Sequence, residues 1–518
     1  VSATAAPPRT PAAARRPLAA ALADVQALPL RNPRHRRVMH LLLRFASDRD
    51  AQHWLLQLAP QASLSFGPGW AERCDVALGF TAAGLRRLSL PVAVQGLMRR
   101  LAPAFMAGAA ARSASHLGDG GASGAGRWDE PYRNEQLDAV LTLHGESVLM
   151  AQMLAAQQAW FAPEPAQGRP RRGWVHVHQG APLAAPGQIG LAGGEWVHFG
   201  YRDGLTRPVI DPALEPPHAA APCGDEAPSA IELGPLLDGA TSRHAPGELL
   251  LGRARDIGDN PWSLTRLPEE LRRFFHDGSF GVLRVIEQDV PAFDTEVARW
   301  ATAWKNDTGS HAADVQVQHF IRAKLCGRWP EGPVVRPGEG PGADIAARLA
   351  QADPFAIDFA KDRDGTGCPF ASHVRRMNAQ AGGGALARPR VLFRRSLPYD
   401  GEPDGAGGCS LPGLLGLFFC SSIEEQFEHL VGQWADRMPL GLNDGSRAQD
   451  PFIGAHDDAA APFMLRRVDA ASPLRLWGFR PFVRTRGTAY LFYPSRAAFA
   501  PLLDPRRWVR EAEPWLTR

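Results

Sequence analysis

The sequence predicts an α+β protein in two domains, and three observations carry that expectation. The chain has 518 residues, more than one hydrophobic core usually serves. Apolar runs of strand length alternate with runs of helical period in both halves. Between the halves lies a Pro- and Ala-rich stretch that reads as a linker or insertion. The expected organisation is a disordered Ala/Pro/Arg tail at 1–23, an N-terminal domain at 24–215, the insertion at 216–246, and a C-terminal domain at 247–518.

Residues 37–45, R-V-M-H-L-L-L-R-F, are a compact apolar run bounded by charge and predict a central strand. A short helix is expected over 52–58. Residues 75–88 read as a strand followed by a helix that begins near Thr81. The stretch 117–126, L-G-D-G-G-A-S-G-A-G, is a loop by composition. A strand over 137–144 precedes a helix over 147–160, and residues 176–200 lead into a turn bracketed by glycines.

The second half repeats this grammar. Residues 279–287 predict a strand. After Pro291, the residues Phe293, Val297, Trp300, Ala301 and Trp304 fall on one helical stripe, with Asp294 and Glu296 suited to its positive end. A strand is expected over 414–420. Ser422 and Glu425 then make a capping box for a helix whose stripe is Phe427, Leu430, Val431 and Trp434. Two strands, 482–485 and 488–493, close the pattern, and 331–344, 380–389 and 401–408 read as loops.

Composition narrows the function classes. Apolar residues make up 45% and charged ones 21%, an ordinary balance for a water-soluble chain. The net charge of +3, from 57 basic and 54 acidic residues, gives no electrostatic reason to expect nucleic acid. No run approaches the ~18 uninterrupted apolar residues of a membrane helix. The six cysteines contain no C-x-x-C pair and no C-x-x-C-H for covalent haem attachment, so they read as reduced thiols of a cytoplasmic protein. Arg15-Arg16 makes a poor export signal, because the following apolar run is short and Asp24 interrupts it. The chain starts with Val, which leaves open an exported form whose signal has been removed.

Three stretches could carry chemistry. The first is W-V-H-F-G-Y-R-D-G-L-T-R-P, residues 196–208, where Gly200 and Gly204 bracket a turn that presents Asp203. The apolar Trp196, Val197 and Phe199 suggest that the turn leaves a buried strand and holds Asp203 near the interior. The second is G-C-P-F-A-S-H-V-R-R-M-N, residues 367–378. His373 there suits axial ligation of haem iron, Cys368 offers the rival thiolate, and Arg375 and Arg376 could meet haem propionates. The third is V-L-F-R-R-S-L-P-Y, residues 391–399, a short strand delivering Arg394 and Arg395 before a turn. A fourth pair, His176 and His178, shares one face of a strand. It could grip a metal, or simply line a half-exposed face.

Taken together, these stretches resemble the dye-decolourising peroxidases, whose hallmark is G-x-x-D-G followed by an axial His and an Arg in R-R-x-x-P-[YF]. Supporting blocks match in the same order: G-E-L-L-L-G from 247, G-S-F-G-V-L-R-V-I-E-Q-D-V from 278, K-L-C-G-R-W-P-E-G from 324, D-P-F-I-G from 450 and R-G-T-A-Y-L-F-Y-P from 486. The resemblance spans about residues 24–510. Asp400 stands where the family often has Gly, and the loops at 118–126, 212–246 and 401–409 are long or rich in Gly and Pro.

The resemblance implies two ferredoxin-like α+β domains with antiparallel sheets and non-covalent haem b between them. It implies His373 as the iron ligand, Asp450 as the carboxylate accepting its N–H, Gly204 and Arg375 as further cofactor contacts, and Asp203 and Arg394 as the catalytic pair. Arg394 is preferred to Arg395 because it holds the family's place four residues before the proline, and strand alternation lets only one of the two face the haem. Hydrogen peroxide and an aromatic reductant would be the partners, with no membrane or nucleic acid and with oligomerisation left open. Because carboxylates as a class ionise near pH 4, activity is expected to peak in acid, at about pH 3–5. Two competing readings are a haem storage, delivery or sensing protein without turnover, and a haem-free interaction module on the same fold.

Overall fold

The computed structural model describes residues 22–31, 37–62, 74–133, 136–163, 171–183, 195–211, 214, 241–256, 267, 269–378, 390–401, 410–436, 449–456 and 462–504. The expected tail up to residue 21, the insertion from 216 to 240 and the loops 380–389 and 402–408 lie outside the described residues.

In the first half, β1 (Val38–Phe45), β2 (Asp75–Phe80), β3 (Ala139–His144) and β4 (Gly173–Gly180) pair antiparallel in the order β2-β3-β1-β4. The helix Asp48–Leu58 follows β1, several short helices between 82 and 116 follow β2, and the helix Ser147–Phe161 follows β3. This is the strand order of a ferredoxin-like unit. The caps agree with the sequence. Ser47 accepts from the Asp50 amide, and Thr81 accepts from the Gly84 amide at 3.0 Å, so a helix starts where Thr81 predicted it.

Four short strands follow: β5 (Glu195–Trp196), β6 (Arg202–Asp203), β7 (Pro208–Ile210) and β8 (Ser242–His244). The second half then builds β9 (Ser279–Gln288), β10 (Phe393–Arg394), β11 (Leu397–Tyr399), β12 (Gly413–Cys420), the small hairpin β13 (Phe463–Leu465) and β14 (Leu474–Leu476), and finally β15 (Val483–Tyr493). Its main strands run β10-β12-β9-β15, with β11 also on β12, all antiparallel. The ferredoxin-like order therefore recurs.

The two half-sheets join where Phe492 of β15 pairs with Phe80 of β2, which makes one nine-stranded sheet. Its outer edges also approach each other, since the Ala181 amide donates to Pro398 O at 3.0 Å. Gly180 permits that closeness: a Cβ there would sit 2.8 Å from Pro398 O.

One expectation is corrected. The stretches 482–485 and 488–493 are not two strands. β15 is continuous, with a bulge between Thr485 and Gly487. The extra residue, Arg486, binds Asp129 at 2.7 Å and also pairs with Glu287. Gly487 has the Tyr132 ring where a Cβ would go, at 2.1 Å. The glycine that looked like a break in the sequence is where a ring packs on the backbone.

The helix Val290–Thr308 starts at Asp289, which accepts from the Ala292 amide at 3.0 Å, and it buries Phe293, Val297, Trp300, Ala301 and Trp304 as its stripe predicts. The helix Ile423–Ala435 is capped by Ser422 as expected, but it winds with i→i+5 bonding while keeping Phe427, Leu430, Val431 and Trp434 buried. A second core gathers around Phe293, Trp300, Phe320, Ile321, Trp329 and Phe482 and takes in Phe199 and Tyr201, which flank Gly200. No helix among the described residues is long and apolar enough to cross a membrane.

Candidate functional site

The turn after β5 is held from several sides. The Val197 amide donates to Tyr201 O at 3.0 Å, and the Gly200 amide to Val197 O at 2.8 Å. Tyr201 Oη donates to Arg322 O at 2.9 Å, while the Arg202 amide donates to Pro330 O at 2.8 Å. Gly200 and Gly204 have φ of 80° and 72°, which explains glycine at both positions. Trp196 and Phe199 are buried and Asp203 is half-buried on β6, paired with Glu195 on β5. The turn leaves a hairpin whose Trp196 is buried and whose β6 residues are half-buried.

His373 opens the short helix His373–Arg376. Its Nδ1 lies 2.8 Å from Asp450 Oδ2, and Asp450 is 0% exposed. Asp450 Oδ1 also accepts from the Phe452 amide at 2.8 Å and the Ile453 amide at 3.1 Å. Burial works against the charge of Asp450, but the His373 imidazole and the two amides more than offset it and hold the carboxyl below its usual range. A carboxylate only accepts, so Nδ1 carries the proton, and in the neutral imidazole Nε2 has the lone pair. The imidazole side chain is 31% exposed, and the buried carboxylate fixes the orientation of its ring.

The loop before His373 is tied down by charge. Asp362 accepts from the Gly367 amide at 3.0 Å and the Cys368 amide at 2.7 Å, and Lys324 donates to Thr366 O and Gly367 O at 2.6 and 2.7 Å. Arg375 belongs to this brace. Its guanidinium reaches Asp362 Oδ2 at 3.0 Å, Asp362 O at 2.7 Å and Cys368 O at 2.8 Å, and it is 1% exposed. Those contacts of Nη1 and Nη2 are all to the loop before His373. Arg376, likewise buried, donates to Trp434 O. Cys368 is buried, its Sγ is 2.9 Å from Ser372 Oγ, and burial pushes its thiol up to about 11.

Arg394 and Arg395 leave their strand in opposite directions. Arg394 is exposed and its Nη2 donates to Thr206 Oγ1 at 2.8 Å. Arg395 is buried and donates to Leu28 O, Pro29 O and Arg31 O at 2.9, 2.7 and 3.0 Å, closing the end of a short N-terminal helix.

These contacts bring the three stretches together. Thr206 lies three residues past Asp203 and receives Arg394. His198, just before the turn, lies 2.9 Å through Nε2 from Tyr399 O, just after Arg394's strand. The Phe452 ring is 5.8 Å from the His373 ring and 5.6 and 5.9 Å from Tyr201 and Phe199. Phe452 and Thr206 are the parts that sequence reasoning missed. Both lie within quoted motif blocks, but nothing local says which distant side chain each meets.

His176 and His178 do share a face, with ring centroids 4.8 Å apart, in a cleft of about 360 Å³ lined also by Tyr399 and Arg486. No group of three or more metal-ligating side chains gathers anywhere among the described residues.

Comparison with known proteins gives a consistent result. No family model matches the chain. It is 27% identical over 329 residues to a dye-decolorizing peroxidase of Mycetinis scorodonius, covering 59% of this chain and 56% of that one. It is 28% identical over 243 residues to a multifunctional dye peroxidase of Amycolatopsis, covering 43% and 48%. The chain thus spans about half the length of these curated relatives. Among solved structures, a dye-decolorizing peroxidase in complex with 2,6-dimethoxyphenol superposes with a TM-score of 0.67 at 22% identity, covering 93% of this chain and 99% of that one. A decolorizing peroxidase from Auricularia auricula-judae gives 0.66 at 18% identity, covering 93% and 99%.

Proposed function

We propose that this chain, which is related in sequence to the dye-decolourising peroxidases and has their fold, is a haem-dependent peroxidase. It would reduce hydrogen peroxide and oxidise dyes, phenols or other aromatic donors. The observation that carries the reading is the His373–Asp450 pair: an imidazole whose Nδ1 is held by a buried carboxylate, which would present Nε2 to a metal. That donor set fits the iron of non-covalent haem b, and the residues meeting around it come from both halves of the chain.

Bound haem would supply the redox chemistry, taking up the oxidising equivalents of peroxide and passing them singly to the donor. His373 would hold the iron, and Asp450 would fix the ring's tautomer and make Nε2 more basic. Asp203 would take the proton from one peroxide oxygen and deliver it to the other, acting as base and then as acid. The Arg394 guanidinium, held by Thr206, would stabilise negative charge on the departing oxygen. Gly204 lets the backbone turn away directly after Asp203, so that the carboxylate is aimed from a fixed hairpin rather than a free loop.

The test is Asp203→Asn in the haem-loaded protein. Turnover with peroxide and a dye should fall by about 10²–10⁴-fold, while haem uptake, followed by Soret absorbance, stays as in the parent. Unchanged turnover would remove Asp203 from the reaction. Absence of a Soret band after reconstitution of the parent protein would remove haem.

A further inference from the structure

Three side chains that the peroxidase reading does not use stand in line on β8 and beyond it. Ser242 and His244 are two residues apart on one strand and share a face. His244 Nε2 is 2.9 Å from Ser242 Oγ, and His244 Nδ1 is 2.7 Å from Asp256 Oδ2. Asp256 is itself fixed: Oδ1 accepts from the Ala245 amide at 2.6 Å, and its own amide donates to Glu248 Oε1 at 3.2 Å.

The protons follow from that arrangement. Burial works against the charge of Asp256, but the hydrogen bonds from His244 and the Ala245 amide hold it below the usual carboxylate range. The carboxylate accepts, so Nδ1 carries the hydrogen. In the neutral imidazole Nε2 is then the acceptor and Ser242 Oγ–H donates to it. This is the order of a nucleophile, its base and the group that orients the base.

The frame is rigid and the hydroxyl is accessible. β8 pairs in parallel with β7, Pro208 against Ser242 and Ile210 against His244. The Arg207 amide donates to Thr241 Oγ1 at 2.8 Å and the Thr241 amide to Arg207 O at 3.0 Å. The His244 ring meets Phe393 edge-on at 6.5 Å. Ser242 is exposed, whereas the His244 and Asp256 side chains are only 12% and 20% exposed.

We propose that Ser242, His244 and Asp256 form an acyl-transfer site that accepts small activated esters, separate from the peroxidase reaction. Ser242 Oγ attacks the ester carbonyl and its proton passes to His244 Nε2. The bond from the carbonyl carbon to the leaving oxygen breaks, and that oxygen takes the proton from His244. Water, deprotonated by the same nitrogen, then releases the acid and restores the serine. No redox partner is required, so the site stands whether or not the chain is a peroxidase.

The test treats haem-loaded protein with a fluorophosphonate probe and with p-nitrophenyl acetate. Adducts are located by intact and peptide mass spectrometry, which Soret absorbance does not obscure. The expected result is one adduct per chain on Ser242, absent in Ser242→Ala. Its formation should slow by about 10²–10⁴-fold in His244→Asn, the usual worth of a positioned base. Melting by circular dichroism checks that each variant is folded, and Asp256→Asn replaces His244→Asn if that variant is not. If the three groups only pin the strand, Ser242 will be unmodified, or modified as fast in the variants as in the parent; either result overturns the proposal.

Discussion

His40 sets up a conflict between stability and work in acid. It lies in the middle of β1, 0% exposed, opposite Thr142 on one side and His178 on the other. Its Nδ1 is 2.9 Å from Thr142 Oγ1, and its Nε2 is buried without a hydrogen-bond partner among the described residues. Burial, with the charge of His144 behind it, pushes its pKa down to about 3. In the unfolded chain a histidine titrates at about 6.5. The fold therefore holds His40 neutral while the unfolded chain binds a proton, so stability is complete above about 6.5 and is lost as pH falls from there towards 3. At pH 5 the gap is about 1.5 pH units, or about 2 kcal/mol at 1.36 kcal/mol per unit. His40→Asn retains a group at the Nδ1 position for Thr142 and cannot titrate. Urea denaturation of parent and variant at pH 7.5 and 5.0 should show the parent losing about 2 kcal/mol more than the variant over that step. A constant offset from lost packing cancels, because only the change with pH is compared. Equal losses would refute the reasoning and mean that His40 is solvated or protonated in the fold. His178 and His429 are also pushed down by burial, so some acid sensitivity should survive in the variant.

The two neighbouring arginines should fail in different assays. Arg394→Leu should reduce peroxide-dependent turnover by about 10²–10³-fold with stability little changed, whereas Arg395→Leu should cost about 3 kcal/mol of stability by removing the donor to four carbonyls; steady-state kinetics and urea titration separate them, and the opposite pattern would reverse the assignment. Asp450→Asn retains the shape but not the charge facing His373 Nδ1, so haem should be lost about 10–100-fold faster, as read by the decay of Soret absorbance in the presence of a haem acceptor. Acid should also weaken the buried pair of Arg253 and Asp277, at 2.7 Å. Burial opposes the Asp277 charge, but Arg253 and His276 together outweigh it and bring the carboxyl down to about 2. Its stabilisation is thus present above about 4 and lost as pH falls towards 2, and Asp277→Asn should flatten the melting curve's dependence on pH in that window.

Much of the fold is legible along the chain because it rests on local rules. Alternating and helical stripes located most of the elements, Thr81 and Ser422 marked helix starts, and glycines at 200 and 204 announced a turn with positive φ. The alternation rule expects Arg394 and Arg395 on opposite sides of the chain, and the structure leaves Arg394 exposed and Arg395 buried. What failed locally was continuity and direction. Thr485 to Gly487 looked like a strand end, and only the Tyr132 ring packed on Gly487 shows why the glycine sits inside a strand. Arg375 stands two residues from His373 in the sequence, and only the structure shows its guanidinium bound to Asp362 in the preceding loop.

The sequence by itself determined which chemical groups are present and which local geometry each turn and strand must take, because propensity, capping and periodicity act within a few residues. Only the tertiary structure decided which groups meet. Thr206 receives Arg394 across 188 residues, Asp450 holds His373 across 77, and the two ferredoxin-like half-sheets join where β15 pairs with β2. Long-range pairing depends on how whole faces pack and on where buried charge can find a partner, and that is not written in the spacing of any one motif.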